Sequence, residues 1–143
     1  MLKGISSLIS PELLRILMEM GHTDEIILAD GNFPAASHAQ RLIRLDGHPI
    51  PELLQAILAL YPLDSYDPKP VGLMAVVPGD TVKTPIWDTY AKIIEQSQGQ
   101  PVQMDYIEKF AFYERARKAY AIVATGETAL YANILLKKGV IQP

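Results

Sequence analysis

The stretch GHTDEIILADGNFP, residues 21–34, decides the fold that the sequence predicts. Its centre, EIILA, is a short apolar run between polar turns, which is typical of a strand buried on both faces. Asp30 follows at the carboxyl end of this strand, and Gly31 and Asn32 continue into a turn. The pattern predicts a central strand with His22 before it and a polar turn after it.

The segments around this stretch alternate between helical and strand patterns. Ser10 followed by Pro11 predicts the start of an amphipathic helix that ends at Gly21. Further strands are predicted for RLIRLD, VGLMAVVPGD, VQMDYI, AIVATGE and NILLKKG. Further helices are predicted for PELLQAILALY, the segment from Trp87 to Gln96, and KFAFYERARKAY. An extended conformation is the alternative for the first residues of KFAFYERARKAY. This alternation indicates a single α/β domain over residues 1–143, with a mixed or largely parallel sheet flanked by helices.

The composition argues against several classes of function. The 13 basic and 16 acidic residues give a net charge of -3, and phosphate binding needs a concentrated positive face, so nucleic acid is not an expected partner. The chain has no cysteine, which excludes disulfides, thiol catalysis and zinc–thiolate sites. No apolar run approaches the ~20 residues that span a bilayer, and Pro11 interrupts the N-terminus before a signal-peptide core forms. We therefore expect a cytoplasmic protein without a membrane partner.

Ligand crevices of open α/β sheets lie outside the carboxyl ends of the strands. This rule indicates Asp30 and the turns around Pro78 and Gly126. The alternative for Asp30 is an ordinary turn role. His22 is a candidate for proton transfer because imidazole both gives and takes protons near neutral pH; the alternative is that it caps the preceding helix. Asp24 either orients His22 by accepting a hydrogen bond from its ring or belongs to a turn.

The motifs TGE and YANI form a second polar cluster near the end of the chain. Tyr131 carries a phenol and Asn133 offers both a donor and an acceptor, a combination suited to a polyhydroxylated ligand. Ordinary turn chemistry is the alternative interpretation. His38 could join His22 in a metal site, but the histidines lack the short fixed spacing of metal ligands, and no metal is expected.

Three motifs in this order, GHTDEIILADGNFPA, FAFYERA and TGETALYANILLKKGV, resemble the RbsD/FucU family of sugar mutarotases, and its L-fucose branch in particular. The likeness extends from LISPELL near the start to LLKKG near the end. It implies an RbsD-like fold and an isomerase that interconverts the anomers of a free monosaccharide, L-fucose above all, without a cofactor. A D-ribose mutarotase and pyranase, a noncatalytic monosaccharide-binding protein and a metal-dependent isomerase are the alternatives.

The resemblance also implies which residues form the site. The catalytic histidine of the family falls on His22, and its substrate-binding aspartate falls on Asp30. Its sugar-binding segment falls on Tyr131, Ala132 and Asn133. From these positions we hypothesise that His22 transfers one proton and that Asp30 and Asn133 hold hydroxyls of the sugar. Tyr131 then either binds the sugar or relays the second proton.

One position departs from the L-fucose pattern. The basic residue directly before FAFYERA is commonly arginine in that branch, whereas this chain has Lys109. A lysine can still bind a hydroxyl, although it lacks the planar bidentate fork of arginine. Members of the family also assemble as rings, generally decamers of two stacked pentamers, with the site near a subunit boundary. The resemblance therefore implies a homodecamer.

Overall fold

The structure is a computed structural model that describes residues 1–143. The strands are β1 (Glu25–Ala29), β2 (Leu42–Leu45), β3 (Val71–Met74), β4 (Met104–Ile107), β5 (Ala121–Thr125) and β6 (Ile134–Lys137). The helices are α1 (Pro11–Glu19), α2 (Ala35–His38), α3 (Ile50–Leu58), α4 (Pro85–Gln98) and α5 (Lys109–Lys118). None of these helices combines the length and the apolarity that crossing a membrane requires.

The strands form one six-stranded sheet in the order β2-β5-β1-β6-β3-β4. The pairs β1–β5, β2–β5 and β3–β4 are parallel, whereas β6 runs antiparallel to both of its neighbours, β1 and β3. The predicted α/β fold with a mixed sheet is confirmed. Because β6 is reversed, its amino end lies at the same edge of the sheet as the carboxyl ends of β1 and β3, which places Asn133 beside Asp30.

The central strand β1 is buried on both faces, as its apolar sequence predicts. Ile26 and Leu28 belong to a core of 24 buried residues under α1, α3 and α4. Ile27 and Ala29, which point the opposite way, belong to a second core of 12 buried residues under α2 and α5. Burying each large aliphatic side chain contributes roughly 1.5–3 kcal/mol, so β1 is a rigid support for the residues at its two ends.

The helix before β1 begins as predicted and ends differently. The Ser10 side chain accepts a hydrogen bond from the Leu13 N–H, and Pro11 occupies the first turn. The helix stops at Glu19, and Met20 continues in an extended conformation. Gly21 therefore does not end the helix in a left-handed conformation. Its N–H instead donates to the Asp24 carboxylate at 2.7 Å.

Candidate functional site

A pocket of about 310 Å³ opens where β1 and β3 end and β6 begins. It lies outside the carboxyl ends of parallel strands, in agreement with the crevice rule. Of the predicted site residues, the pocket brings together Asp30, Lys109, Tyr131 and Asn133. The remaining lining side chains come mainly from the turn after β1, the loop after β3 and helix α5: Asn32, Phe33, Met74, Val77, Asp80, Tyr113 and Leu130.

Asp30 and Asn133 hold each other in place at the base of this pocket. The Asp30 N–H donates to Asn133 Oδ1 at 2.8 Å, which leaves the amide hydrogens of Asn133 available to a ligand. Asp30 is only 6% exposed. Its carboxylate accepts hydrogen bonds from the Asn32 N–H at 3.0 Å and from the Ala132 N–H at 3.4 Å. The pair thus offers one fixed acceptor and one fixed donor.

The environment of Asp30 disfavours its charged form. Burial raises the pKa of the Asp30 carboxyl above its ordinary value, and nearby Glu127 adds to the rise. Hydrogen bonds from the N–H groups of Asn32 and Ala132 act in the opposite direction and do not cancel the effect of burial. Asp30 therefore takes up a proton more readily than an exposed aspartate.

Tyr131 is fixed both through its backbone and through its hydroxyl. Its φ of 54° is left-handed, a conformation that costs energy outside glycine. The Trp87 indole N–H donates to the Tyr131 carbonyl at 2.8 Å. The Tyr131 hydroxyl donates to the Asp80 carboxylate at 2.7 Å, and this hydrogen bond raises the pKa of Tyr131 and lowers that of Asp80.

Helix α5 supplies the basic side and an aromatic wall of the pocket. The Glu108 carboxylate caps the helix by accepting from the Phe110 and Ala111 N–H groups at 3.0 Å each, which fixes Lys109 at its first position. The Lys109 Nζ lies 5.9 Å from the ring centroid of Tyr113. Tyr113 lines the pocket and was not predicted, although it lies within the FAFYERA motif.

His22 lies at the other end of β1. Its Nε2 is 3.1 Å from Asp64 Oδ1, and its ring centroid is 5.4 Å from that of Tyr66. The His22 side chain is 39% exposed, while that of Asp64 is 3% exposed. Asp64 thus occupies the orienting position that was considered for Asp24. Asp24 has the turn role instead, since its carboxylate accepts from Gly21.

The structure does not bring His22 and Asp30 together within one chain. The five residues of β1 span about 16 Å at the usual rise of a strand, and both residues lie beyond its ends. An imidazole cannot cover that distance. The pocket of one chain therefore contains the predicted binding groups without the predicted catalytic histidine.

Residues 3–141 match the RbsD / FucU transport protein family. The chain belongs to this family. It is 54% identical to a fucose mutarotase of Danio rerio, over 99% of this chain and 95% of that protein. It is 57% identical to the crystallised fucose mutarotase of Streptococcus pneumoniae in complex with L-fucose, with a TM-score of 0.94 over 99% of this chain and 100% of that one.

The resemblance inferred from three motifs is thus confirmed as membership of the RbsD / FucU family. The structure of Bacillus subtilis RbsD complexed with D-ribose is 24% identical and has a TM-score of 0.73 over 99% of this chain and 100% of that one. At this identity the likeness shows the shared fold alone. It confirms the RbsD-like architecture that the motifs implied.

Within this RbsD / FucU chain, Ala132 does not line the pocket. It is fully buried, its N–H donates to Asp30, and its carbonyl accepts from the Tyr90 hydroxyl at 2.7 Å. Both backbone groups are therefore occupied by the protein, which explains why the residue supports Asp30 rather than presenting a group to a ligand.

The TGE motif also has a structural role in this member of the RbsD / FucU family. A side chain at Gly126 would place its Cβ 2.1 Å from the Asp46 carbonyl oxygen, so only glycine fits. The buried Glu127 carboxylate accepts from the N–H groups of Ile50, at 3.1 Å, and Ala129, at 2.9 Å. Glu127 therefore ties the start of α3 to the loop that leads to the pocket.

His38 packs against the rings of Phe33 and Tyr113, with centroids 6.0 and 5.4 Å away. Its Nδ1 lies 3.0 Å from the Pro34 carbonyl. His38 is thus part of the aromatic layer behind the pocket. Nowhere in the chain do three or more histidine, aspartate or glutamate side chains gather in a way that could hold a metal ion.

Proposed function

We propose that this chain is an L-fucose mutarotase, an isomerase that interconverts the α and β anomers of free L-fucose without a cofactor. One observation carries the proposal: Asp30, Asn133 and Lys109 line one pocket in a chain 57% identical, over nearly its whole length, to a fucose mutarotase crystallised with L-fucose. A cytoplasmic location and a role in carbohydrate metabolism, both implied by the family resemblance, belong to the same proposal.

The reaction needs only proton transfer. A base removes the proton from the anomeric O1–H, an acid protonates the ring oxygen O5, and the C1–O5 bond breaks to give the open-chain aldehyde. Rotation about C1–C2 exposes the other face of the carbonyl. On closure O5 attacks C1 and returns its proton to the acid, while O1 takes its proton back from the base. Positioned acid–base groups accelerate such steps by typically ~10² to 10⁴.

The pocket matches a 6-deoxy sugar in its arrangement of polar and apolar groups. Asp30 accepts hydrogen bonds from sugar hydroxyls, while Lys109 and the Asn133 amide donate them. Met74 and Leu130 supply apolar lining, which suits a methyl group in the place where other hexoses carry a hydroxymethyl group. This apolar lining favours L-fucose over D-ribose, which lacks that methyl.

His22 is the proposed proton-transfer residue, held in orientation by the buried carboxylate of Asp64. Since His22 cannot reach the pocket of its own chain, a second copy must bring its histidine there. Exposed apolar side chains stand at both places, Tyr66 beside His22 and Phe110 and Leu130 near the pocket. They support contact between copies with sites at subunit boundaries. A homodecamer of two stacked pentamers is the assembly that the family resemblance implies.

Saturation-transfer NMR on L-fucose and D-ribose, side by side, tests the proposal. We expect the protein to accelerate exchange between the anomeric protons of L-fucose well above the buffer rate and to act more slowly on D-ribose. Acceleration should survive a chelator, as a cofactor-independent reaction requires. Tight binding of L-fucose with exchange at the buffer rate would instead identify a noncatalytic sugar-binding protein.

A further inference from the structure

The loop between β3 and α4 lines one side of the pocket with Val77 and Asp80. Asp80 in this loop accepts a hydrogen bond from the hydroxyl of Tyr131, a residue 51 positions away in the sequence, at 2.7 Å. We propose that Asp80 is a positioning residue that makes Tyr131 a hydrogen-bond acceptor toward the sugar. This inference rests on the proposed function and assigns a role to Asp80, which the sequence indicated only as part of the turn around Pro78.

The geometry leaves Asp80 only one way to contact Tyr131. Its Oδ1 accepts from the Val82 N–H at 3.0 Å, which fixes the side chain across its own turn. Its Oδ2 faces Tyr131. An ionised carboxylate has no hydrogen to give, so the tyrosine hydroxyl must donate.

Tyr131 cannot turn its hydroxyl elsewhere without losing several contacts. Its backbone is left-handed, and its carbonyl is held by the Trp87 indole. The single hydroxyl hydrogen is used by Asp80, and the Val77 N–H approaches the phenol oxygen at 3.4 Å. One lone pair of the oxygen therefore remains for the pocket, and it can only accept.

The direction of the hydrogen bond from Tyr131 to Asp80 changes the role of Tyr131 in the reaction. A phenol whose proton is donated to a fixed carboxylate does not relay a second proton to the ring oxygen of the sugar. Instead it accepts a hydrogen bond from one sugar hydroxyl, in the same way as Asp30, while Lys109 and Asn133 donate. Such a contact is made equally in the bound sugar and in the transition state, so it acts on KM rather than on kcat.

Asp80→Asn tests this assignment while keeping the turn. The amide oxygen can still accept from Val82, but the amide NH₂ that replaces Oδ2 donates to the phenol oxygen and turns the Tyr131 O–H toward the pocket. We expect KM for L-fucose to rise about three- to tenfold with kcat nearly unchanged. Asp88→Asn removes the same charge from an exposed site in the first turn of α4 and should change neither constant.

A double-mutant cycle separates positioning from a structural effect on the loop. In a Tyr131→Phe background there is no hydroxyl to orient, so Asp80→Asn should have no further effect on KM. An equal rise in KM in both backgrounds would overturn the proposal, because Asp80 would then act without Tyr131. A loss in kcat with unchanged KM would overturn it as well, since Tyr131 would then take part in proton transfer.

Substrate analogues test whether the Tyr131 hydroxyl accepts or donates the hydrogen bond to the sugar. L-fucose with hydrogen or fluorine in place of a hydroxyl at positions 2, 3 and 4 would be compared, because fluorine accepts weakly and cannot donate. At one of these positions the deoxy and the fluoro analogue should bind equally poorly compared with L-fucose. In Tyr131→Phe, neither replacement at that position should weaken binding further. Better binding of the fluoro analogue at the position that depends on Tyr131 would make Tyr131 a donor and refute the inference.

Failure of the role proposed for Asp80 can be told apart from failure of the mutarotase assignment. If the wild-type protein binds L-fucose but leaves exchange at the buffer rate, the mutarotase assignment fails, and the cycle is read from Kd by NMR titration. If it accelerates exchange and the cycle shows no coupling, only the role of Asp80 fails. If the wild-type protein neither binds L-fucose nor accelerates its exchange, both the mutarotase assignment and the role of Asp80 are wrong.

Discussion

The two ends of β1 are built in opposite ways. At the carboxyl end, Asp30 is 6% exposed and receives hydrogen bonds from Asn32 and Ala132, while its own N–H fixes Asn133. At the amino end, the His22 side chain is 39% exposed and has one hydrogen-bonding partner, Asp64. One end is a pocket lined by fixed polar groups, and the other is a partly exposed imidazole with a single partner.

The proposed function assigns binding to the carboxyl end of β1 and proton transfer to its amino end. Groups that hold hydroxyls need fixed positions, and a single chain can build them from a strand end and the loops around it. A histidine that enters a pocket from outside must instead be exposed on its own chain and oriented from behind, as Asp64 does for His22. The contrast between the ends is therefore the structural argument for a site shared between copies.

The largest expected effect comes from removing the imidazole. His22→Gln should lower the kcat of anomer exchange by ~10² to 10⁴ with little change in KM, because a general acid–base is lost and the pocket stays intact. Saturation-transfer NMR measures the rate, and circular dichroism checks the fold. His48→Gln, at a half-exposed turn, is the matched control. Full activity in His22→Gln would place the chemistry at the pocket end alone.

Mixed assemblies test whether the two ends meet between copies. His22→Gln and Asp30→Asn should each be nearly inactive as separate preparations. If one site takes His22 from one chain and Asp30 from another, random co-assembly restores about a quarter of the sites, and activity should recover accordingly. The two chains would be co-expressed with different tags and purified through both. No recovery in the doubly tagged assembly would contradict a shared site.

Local patterns in the sequence were enough for much of the fold. The apolar run of β1, the cap at Ser10 and the alternation of strands with helices all depend on neighbouring residues, and the structure contains them. The antiparallel direction of β6 was not predicted, because strand pairing is decided by contacts far apart in the chain. The one-turn helix α2 was also missed, since four residues carry no periodic signal.

The candidate site divides in the same way. Asp30, Lys109, Tyr131 and Asn133 were indicated by the resemblance, and the structure gathers them in one pocket. The partners that orient the site were missed, since Asp64 follows His22 by 42 residues and Asp80 precedes Tyr131 by 51. No local spacing connects such pairs. They become visible only when the strands and loops are placed in space.

A smaller effect should follow when the support of the pocket end is removed. Glu127→Ala leaves the buried N–H groups of Ile50 and Ala129 without acceptors, which should lower the free energy of unfolding by about 2 kcal/mol or more. Urea denaturation measures the change. Glu114→Ala, which removes only an exposed ion pair with Arg117, should cost under about 0.5 kcal/mol. Equal losses would mean that Glu127 does not hold the pocket together.

The smallest effect is a dependence of stability on pH. Because burial raises the pKa of Asp30 above its ordinary value of 3.8, Asp30 stabilises the fold most at or below that pH, and this contribution is lost as the pH rises through the folded-state pKa. Asparagine does not titrate. The free energy of unfolding of the wild type relative to Asp30→Asn should therefore fall as the pH increases above 4, measured by urea denaturation between pH 3 and 7.

Asp67→Asn provides a control with the opposite sign. A hydrogen bond from Lys137 lowers the pKa of Asp67, so its contribution is present above 3.8 and is lost as the pH falls through the folded-state pKa. The wild type relative to Asp67→Asn should thus gain stability with rising pH. If the wild type also gained stability with rising pH relative to Asp30→Asn, the fold would stabilise the ionised form of the Asp30 carboxylate. The pocket end would then resemble a surface ion pair rather than a buried acceptor fixed by the backbone.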